Sequence, residues 1–242
     1  YIRETGSITE MYDIIFLSYN EPKAAERFEK LQERISELTT VSKRSPNLIW
    51  VKDIDGIFNA HQHASEQVNS NMFWVVDGDA DVLDTFDFSY MPDVYDEEVV
   101  HVWNSMNLIN GLEYGYGGVK LFPTQMVRDA TTWGLDFTTG LSSRFKAIPE
   151  LSCYTRFNTD AYSAWRSAFR ECVKLSLNDD VESKERLDAW LHPNPDADFR
   201  HDAKRGAEEA VAFAKENKDN TEVLLNINDF DWLKTTYEQN NT

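Results

Sequence analysis

The first third of the chain alternates short, continuous apolar runs with longer segments in which apolar residues recur every three or four positions. The continuous runs at 12–18, 48–51 and 72–77 have the length of strands that are buried on both faces. The periodic segments at 24–38 and 57–68 have the spacing of amphipathic helices. This order of strand, helix, strand, helix and strand predicts a right-handed parallel α/β unit that binds ligands at the carboxyl ends of its strands.

Further along, the pattern predicts more strands and one long amphipathic helix. Apolar runs at 99–103 and 117–122 are typical of strands. Aromatic and aliphatic residues recur at helical spacing over 162–173. Asn158 or Thr159 can cap that helix by accepting a hydrogen bond from a backbone N–H at its start. The whole predicts an α/β fold with a mainly parallel central sheet flanked by helices.

The composition changes near Leu177, after which Asp, Glu, Lys, Ala and Asn dominate. This polar region is predicted to be mainly helical and to end in an aromatic helix. We therefore predict an α/β domain at 1–176 and a helical C-terminal accessory region at 177–242. A chain of 242 residues, 41% of them hydrophobic, is long enough to form a packed hydrophobic core in such a domain.

A net charge of −18 at neutral pH limits the partners of the protein. Tight non-specific binding to nucleic acid or to anionic membranes needs a basic surface. A local basic groove is compatible with this total, and its best candidates are Arg156, Arg166, Arg170 and Lys174. Alternatively, these cations only balance a surface rich in carboxylates.

The two cysteines and the hydropathy pattern indicate where the protein works. Cys153 and Cys172 are too few for a disulfide scaffold and lack the spacing of a zinc site, so we expect buried thiols in a reducing compartment. No apolar run approaches the ~20 residues of a membrane helix. We expect a cytoplasmic protein.

Three aspartates, Asp77, Asp79 and Asp81, follow a strongly apolar strand at alternate positions. Carboxylates crowded at a strand end repel one another unless a cation or a proton lies among them. Mg²⁺ and Mn²⁺ suit such a site, because they take one or two carboxylates and complete their shell with water and substrate phosphates. A calcium EF-hand is excluded, since it needs Gly and Glu where this chain has Val82 and Phe88. A solvated acidic turn without a ligand is the remaining alternative.

Three segments resemble, in the expected order, parts of the family-2-like glycosyltransferases of the GT-A fold. Residues 14–21 (IIFLSYNE) look like the first strand and nucleotide-binding loop of that family, and residues 56–60 (GIFNA) resemble the segment beneath the nucleotide. Residues 73–81 look like the strand that carries the metal-binding Asp-x-Asp. More loosely, residues 158–160 are similar to the acidic segment with the catalytic base, but lack its adjacent Glu-Asp. The chain also resembles proteins of marine tailed phages that are described as glycosyltransferases. The resemblance implies that 1–176 is a GT-A-like catalytic domain and that the protein works in the host cytoplasm if the chain is viral.

The resemblance implies a nucleotide-sugar donor, most readily a UDP-sugar, lying across the strand ends. It implies Mn²⁺ or Mg²⁺ on the diphosphate, held by Asp79 together with Asp77 or Asp81. It also implies Asp160 as the base of an inverting transfer, although a role as a helix N-cap is an equal alternative for this residue. The implied donor contacts are Ser18, Tyr19, Asn20, Glu21, Asp53, Asp55 and Asn59.

Aromatic residues are candidates for an acceptor site, because aromatic faces bind the apolar faces of sugar rings. The acceptor candidates are Trp103, Tyr114, Tyr116, Trp133 and Arg166. Packing in the core is the commoner role of such aromatic residues. Two further cations, Lys120 and Arg128, are candidates for contacts with phosphate.

We therefore predict a metal-dependent glycosyltransferase that moves a hexosyl or pentosyl group from a nucleotide sugar to an acceptor hydroxyl. A saccharide, lipid-linked or protein acceptor is favoured over DNA because the chain is acidic. The alternatives are a catalytically silent glycan-binding or structural domain, a DNA-modifying glycosyltransferase and a nucleotidyltransferase. The last would carry a Gly-rich phosphate loop after its first strand, where this chain has Ser18–Pro22 without glycine.

Overall fold

The computed structural model describes residues 11–41, 46–115, 117–131, 137–141 and 145–240. The strands in this part are β1 (Asp13–Ser18), β2 (Leu48–Lys52), β3 (Met72–Asp77), β4 (Ala80–Val82), β5 (Val100–Asn107), β6 (Glu113–Tyr114), β7 (Val119–Pro123) and β8 (Phe145–Thr155). The helices are α1 (Ala24–Val41), α2 (Ile57–Glu66), α3 (Thr124–Asp129), α4 (Phe137–Leu141), α5 (Ala161–Ser176), α6 (Val181–Leu191), α7 (Arg200–Asn217), α8 (Thr221–Leu224) and α9 (Phe230–Gln239). Within these ranges, no helix is both long enough and apolar enough to cross a bilayer.

The strands form one mixed sheet in the order β2-β1-β3-β7-β5-β8-β4, with β6 beside β5. β1 pairs in parallel with β2 and with β3, as the sequence predicts for the first α/β unit. β7 runs antiparallel to β3 and β5, whereas β8 runs parallel to β5. The predicted α/β class, with helices around the sheet and a helical C-terminal part, is confirmed. The carboxyl ends of β1, β2 and β3 therefore meet at one edge of the sheet.

Side chains from both faces of the central strands are buried. Ile14 and Phe16 of β1 pack with Leu31 of α1 in a cluster on one face of the sheet. Ile15 of the same strand packs with Ala64 of α2 in a second cluster on the other face. Because successive side chains of a strand point to opposite faces, burial on both faces requires a continuous apolar run rather than an alternating one.

A third hydrophobic cluster joins α5 to the C-terminal helices. Trp165 and Phe169 of α5 pack in it together with Ala207 of α7 and Leu233 of α9. The sequence predicts a domain boundary after 176, the last residue of α5. The apolar face of this helix is nevertheless covered by the region beyond that boundary. The division into 1–176 and 177–242 stays a prediction, and the two parts share one core.

The contact between α5 and α7 depends on Gly206, and we expect Gly206→Ala to lower the free energy of unfolding by about 1–3 kcal/mol, the usual cost of overpacking. The added methyl would lie 2.4 Å from the backbone oxygen of Trp165, so the helices would have to separate. Urea titration followed by circular dichroism measures the change. Glu208→Ala, on the exposed side of α7, is the control and should have little effect. A gain in stability of about 1 kcal/mol, which helix propensity alone predicts for glycine to alanine, would contradict this packing.

Both cysteines are buried free thiols, as the sequence predicts. Burial raises the pKa of Cys153 to about 12 and the pKa of Cys172 well above its usual value. Since the thiolate is the reactive form, neither residue is a candidate nucleophile near neutral pH.

Candidate active site

A cavity of about 220 Å³ lies at the carboxyl ends of β1 and β3. Ser18, Tyr19 and Glu21, from the end of β1 and the loop after it, form one part of its wall. Asp77 and Asp79, at the end of β3, stand beside them. The first turns of α2 and one face of α5 form two further parts of the wall. The sequence-based expectation that strand ends converge on one site is therefore met by five of the predicted residues.

Gly78 allows the strand-end aspartates to approach the loop after β1. A Cβ at this position would lie 2.6 Å from Cβ of Ser18 and 2.9 Å from Oε2 of Glu21. Any larger residue would therefore push the two segments apart. The close approach places the carboxylates of Asp77 and Asp79 near that of Glu21, so like charges crowd at this end of the cavity.

Lys120 of β7 partly offsets this charge, because its Nζ lies 3.5 Å from both carboxylate oxygens of Asp77. The pair is largely enclosed, with 10% of the Lys120 side chain and 33% of the Asp77 side chain exposed. Burial has the largest effect on Asp77 and raises its pKa to about 7, against the opposing effect of Lys120; Asp79 and Glu21 raise it further. The pKa of Glu21 is also raised, first by burial and then by Asp79. Arg128, the other predicted phosphate contact, instead donates to backbone carbonyls near the end of α2.

The raised pKa of Asp77 predicts a pH-dependent stability for the metal-free protein. The folded protein keeps this proton up to a pH of about 7, whereas the unfolded chain releases it near 3.8. Between these pH values the folded protein therefore holds more protons than the unfolded chain. The contribution of protonated Asp77 to the free energy of unfolding is complete below pH 3.8 and is lost as the pH rises through 7. We expect the melting temperature in EDTA to be lower at pH 8 than at pH 6, and Asp77→Asn to reduce the difference. If the melting temperature of Asp77→Asn differs between pH 6 and pH 8 as much as that of the unchanged protein, other groups cause the pH dependence.

The oxygen ligands at this site suit a cation that is only partly surrounded by protein. In the described part of the chain, no group of three or more His, Cys, Asp or Glu side chains is arranged to hold a metal ion. Asp77 and Asp79 provide two carboxylates in the cavity wall. Mg²⁺ commonly binds through one or two carboxylates when water and substrate phosphates supply its other ligands. These residues therefore fit Mn²⁺ or Mg²⁺ together with a phosphate-bearing substrate, and metal binding stays a prediction.

The third aspartate of the motif, Asp81, is not part of this wall. Its Oδ1 lies 2.9 Å from Nζ of Lys30 and its Oδ2 lies 2.9 Å from Nη2 of Arg156. Burial raises the pKa of Asp81, but the hydrogen bonds from these two cations lower it overall. The structure thus removes Asp81 from the predicted metal ligands, because its charge is already neutralised. Arg156, a predicted member of the basic groove, is used in the same ion pair.

The predicted donor residues that do not line the cavity lie at its margin and have exposed side chains; they are Asn20, Asp53, Asp55 and Asn59. Two of them support residues of the wall. Oδ1 of Asp55 accepts a hydrogen bond of 2.6 Å from the hydroxyl of Tyr19. This bond is the largest of the effects that raise the pKa of Tyr19 to about 12, so the phenol stays protonated. The side chain of Asn59 donates to the backbone oxygen of Asp55, 3.0 Å away. Asp55 and Asn59 therefore support the wall, and direct contact of the four residues with a donor stays a prediction.

Helix α5 presents a row of cations to the cavity. Arg166, Arg170 and Lys174 line it at intervals of one helical turn, so three of the four residues predicted for a basic groove share one surface. Arg166 is only 8% exposed. Its guanidinium lies 5.0 Å from the centre of the Phe230 ring and 5.6 Å from that of Tyr162. Among the described residues, no carboxylate lies within ion-pair distance of Arg166, which leaves it suited to bind an anionic ligand.

The C-terminal helices contribute residues that the sequence did not reveal. Trp190, Asn228 and Phe230 line the cavity. The ring centres of Phe230 and Tyr19 are 5.0 Å apart, so the start of α9 touches the loop after β1. Arg170 holds this region in place, because its guanidinium donates to the backbone oxygen of Ile227 and to Oδ1 of Asn228. No local motif signals these roles, since they depend on how the C-terminal helices return to the sheet.

The predicted acceptor residues have different outcomes. Trp103 is fully buried in the core and its Nε1 donates to Glu150, so its ring has no free face for a sugar and the prediction is corrected. Tyr114 lies just behind the wall, where its hydroxyl donates a hydrogen bond of 2.9 Å to Oε1 of Glu171. Tyr116 and Trp133 lie outside the described residues.

Asp160 is the N-cap of α5, the simpler of its two predicted roles. Its Oδ1 accepts a hydrogen bond of 2.7 Å from the backbone N–H of Ser163, so it caps the helix in place of Asn158 or Thr159. Its side chain does not line the cavity. The carboxylate that α5 does present to the cavity is that of Glu171. Asp160 is therefore poorly placed to be the catalytic base.

No protein-family model matches the chain, and no curated protein matches it. Among solved structures, HddC from Yersinia pseudotuberculosis aligns with a TM-score of 0.35 and 14% identity, covering 60% of this chain and 91% of that one. The same protein complexed with GMP-PN aligns with a TM-score of 0.35 and 13% identity over the same shares. A glycosyltransferase involved in the glycosylation of the major capsid of PBCV-1 aligns with a TM-score of 0.30 and 18% identity, covering 48% of this chain and 61% of that one. Similarities this distant do not assign the chain to a family.

Proposed function

We propose that the protein is a glycosyltransferase that moves a hexosyl or pentosyl group from a nucleoside diphosphate sugar to an acceptor hydroxyl, assisted by Mn²⁺ or Mg²⁺. The observation that carries the proposal is the cavity at the strand ends, where Asp77 and Asp79 face Glu21, with Lys120 and Arg166 in the same wall. Carboxylates for a divalent cation and cations for phosphate are the two sets of groups that a metal-bound diphosphate requires.

The donor diphosphate is proposed to lie between the strand-end carboxylates and Arg166. A guanidinium can donate two parallel hydrogen bonds to a phosphate, and the rings of Phe230 and Tyr162 hold that of Arg166 in place. Lys120 adds a second positive charge from β7. A divalent cation at Asp77 and Asp79 would act as a Lewis acid on the leaving diphosphate. The resemblance of residues 14–21 and 73–81 to family-2-like glycosyltransferases makes a UDP-sugar the expected donor.

The proposed base is Glu171 rather than Asp160. Glu171 lies in the α5 wall, where the hydroxyl of Tyr114 donates to it and Nζ of Lys174 is 3.3 Å away. In an inverting step, Glu171 removes the proton of the acceptor hydroxyl as its oxygen bonds to the anomeric carbon. The bond from that carbon to the phosphate oxygen breaks, and its electron pair leaves with the nucleoside diphosphate. The cavity supplies the alignment on which much of the rate depends.

The test is an assay for hydrolysis of a panel of UDP- and GDP-sugars, in which the release of the nucleoside diphosphate is measured. We expect slow hydrolysis of at least one donor with Mn²⁺ and none in EDTA. If no donor is bound or hydrolysed, the proposal is wrong and a silent glycan-binding or structural domain is the better description. If the protein instead releases pyrophosphate from a nucleoside triphosphate and a sugar phosphate, it is a nucleotidyltransferase. Sugar transfer to hydroxymethylated DNA would overturn the preference for a saccharide, lipid-linked or protein acceptor.

A further inference from the structure

Asp79 lies in the turn between β3 and β4, and hydrogen bonds from outside the turn hold the peptide groups on both of its sides. The backbone oxygen of Gly78 accepts from Nη1 of Arg27, 3.1 Å away. The backbone oxygen of Asp79 accepts from the backbone N–H of Arg156, 2.7 Å away. Because each peptide group is planar, holding both planes fixes the backbone angles of Asp79 and the direction in which its side chain leaves the backbone.

Arg27 of α1 connects three segments around this turn. Its Nη1 also donates to the backbone oxygen of Pro22, 2.8 Å away in the loop after β1. Its Nη2 donates to Oγ1 of Thr159, 3.4 Å away, and this hydroxyl donates to the backbone oxygen of Arg156 at 2.7 Å. One guanidinium therefore contacts the end of β3, the loop after β1 and the segment between β8 and α5.

These contacts oppose the repulsion between carboxylates at the strand ends. Burial and then Asp79 raise the pKa of Glu21, so the two carboxylates repel each other. Arg27 bonds to the residue after Glu21 and to the residue before Asp79, and so holds their two segments together. Burial lowers the pKa of Arg27, and Asp79 and Asp81 are the largest effects that oppose it. The guanidinium is thus close to the motif, although its hydrogen bonds go to neutral oxygens.

Arg27 does not line the cavity, so it acts through the residues that it holds. We propose that Arg27 is a positioning residue of the metal site, which directs the Asp79 carboxylate towards the bound cation by fixing the turn that carries it. A lysine cannot replace it, because an ammonium on a flexible stem lacks the planar fork of a guanidinium. The inference rests on the function proposed above, because the cation belongs to that site.

Arg27→Lys in the full chain tests the inference, because it keeps the positive charge and removes the fork. UDP is titrated calorimetrically in Mn²⁺ and in EDTA, well below the melting temperature of each variant. We expect the gain in UDP affinity on adding Mn²⁺ to fall roughly tenfold or more, as is usual when a group that orients metal ligands is lost. The affinity in EDTA should not change. A higher Mn²⁺ concentration should restore UDP binding, because the ligands themselves remain.

Arg34→Lys is the matched control. Arg34 lies two turns further along α1 and donates to the backbone oxygen of Asp84, which does not line the cavity. This variant should bind UDP as the unchanged protein does, both in Mn²⁺ and in EDTA. A loss of Mn²⁺-dependent affinity in Arg34→Lys equal to that in Arg27→Lys would overturn the inference, because any change in α1 would then have the same effect.

Arg27→Gln separates geometry from charge. If Arg27 acts through geometry, this variant should lose at least as much Mn²⁺-dependent affinity as Arg27→Lys. If the charge matters instead, removing a cation beside Asp79 would tighten Mn²⁺ binding in Arg27→Gln and leave Arg27→Lys unchanged, which would overturn the inference. Full Mn²⁺-dependent affinity in both variants, with a lower melting temperature, would also overturn it, because Arg27 would then only stabilise the fold.

Failure of the proposed function gives a different result. If the unchanged protein does not bind UDP in Mn²⁺, that function is wrong, and Mn²⁺ is then titrated into the nucleotide-free protein. Weaker Mn²⁺ binding by Arg27→Lys, but not by Arg34→Lys, would still support the positioning role. Equal Mn²⁺ binding by all three proteins, or no binding by the unchanged protein, would overturn it.

Discussion

Asp79→Ala is expected to abolish Mn²⁺-dependent binding of UDP, with a loss of affinity of about 100-fold or more, because a metal ligand is more critical than its supporting residues. The variant should fold normally or become slightly more stable without the metal, since one of the crowded carboxylates is gone. Calorimetric titration of UDP with and without Mn²⁺ measures the affinity, and thermal melting in EDTA measures the stability. An unchanged affinity for UDP in Mn²⁺ would reject the metal site.

Asp81→Ala is the matched control, because it makes the same change two residues further along the motif. Asp81 pairs with Lys30 and Arg156 and does not line the cavity. We expect this variant to keep its affinity for UDP and to lose stability by about 0.2–1 kcal/mol for each partly exposed ion pair. If Asp81→Ala loses UDP binding as severely as Asp79→Ala, all three aspartates contribute to UDP binding, and Asp81 has been wrongly removed from the metal ligands.

Glu171→Gln is expected to lower the rate of donor hydrolysis by about 10²–10⁴-fold, the usual contribution of a general base. The affinity for the donor should change little, because the amide preserves the shape of the side chain and Glu171 is not proposed to touch the diphosphate. Pre-steady-state measurement of nucleoside diphosphate release, together with calorimetry of UDP, separates the two quantities. The low-pH limb of the rate profile should also change if Glu171 is the group that must be deprotonated.

Asp160→Asn provides the opposing test. Asn caps helices about as well as Asp, so the hydrogen bond to Ser163 should be retained and the stability preserved. We expect nearly unchanged hydrolysis, because this side chain does not line the cavity. Loss of hydrolysis in Asp160→Asn, with activity retained in Glu171→Gln, would support the base assigned from the sequence and reject the one assigned from the structure.

The sequence by itself determined the first α/β unit, the amphipathic helix α5 and the strand end that carries Asp77 and Asp79. These features follow from local periodicity, because a strand buried on both faces must be continuously apolar and a helix with one buried face must repeat about every 3.6 residues. The same reasoning identified Ser18, Tyr19 and Glu21, since a parallel unit brings the ends of its strands together. It also predicted that both cysteines are buried, which their low number and spacing indicated.

Only the tertiary structure decided which of these residues meet. Asp79 and Asp81 occupy equivalent positions in the local sequence pattern. Only Asp81 forms ion pairs with Lys30 and Arg156, which are distant in sequence. Phe230 reaches Tyr19 because α9 packs back on α5, a contact between residues more than two hundred positions apart. The direction of a side chain beyond a strand end depends on such distant partners, whereas periodicity reports only which face of its own element a residue occupies.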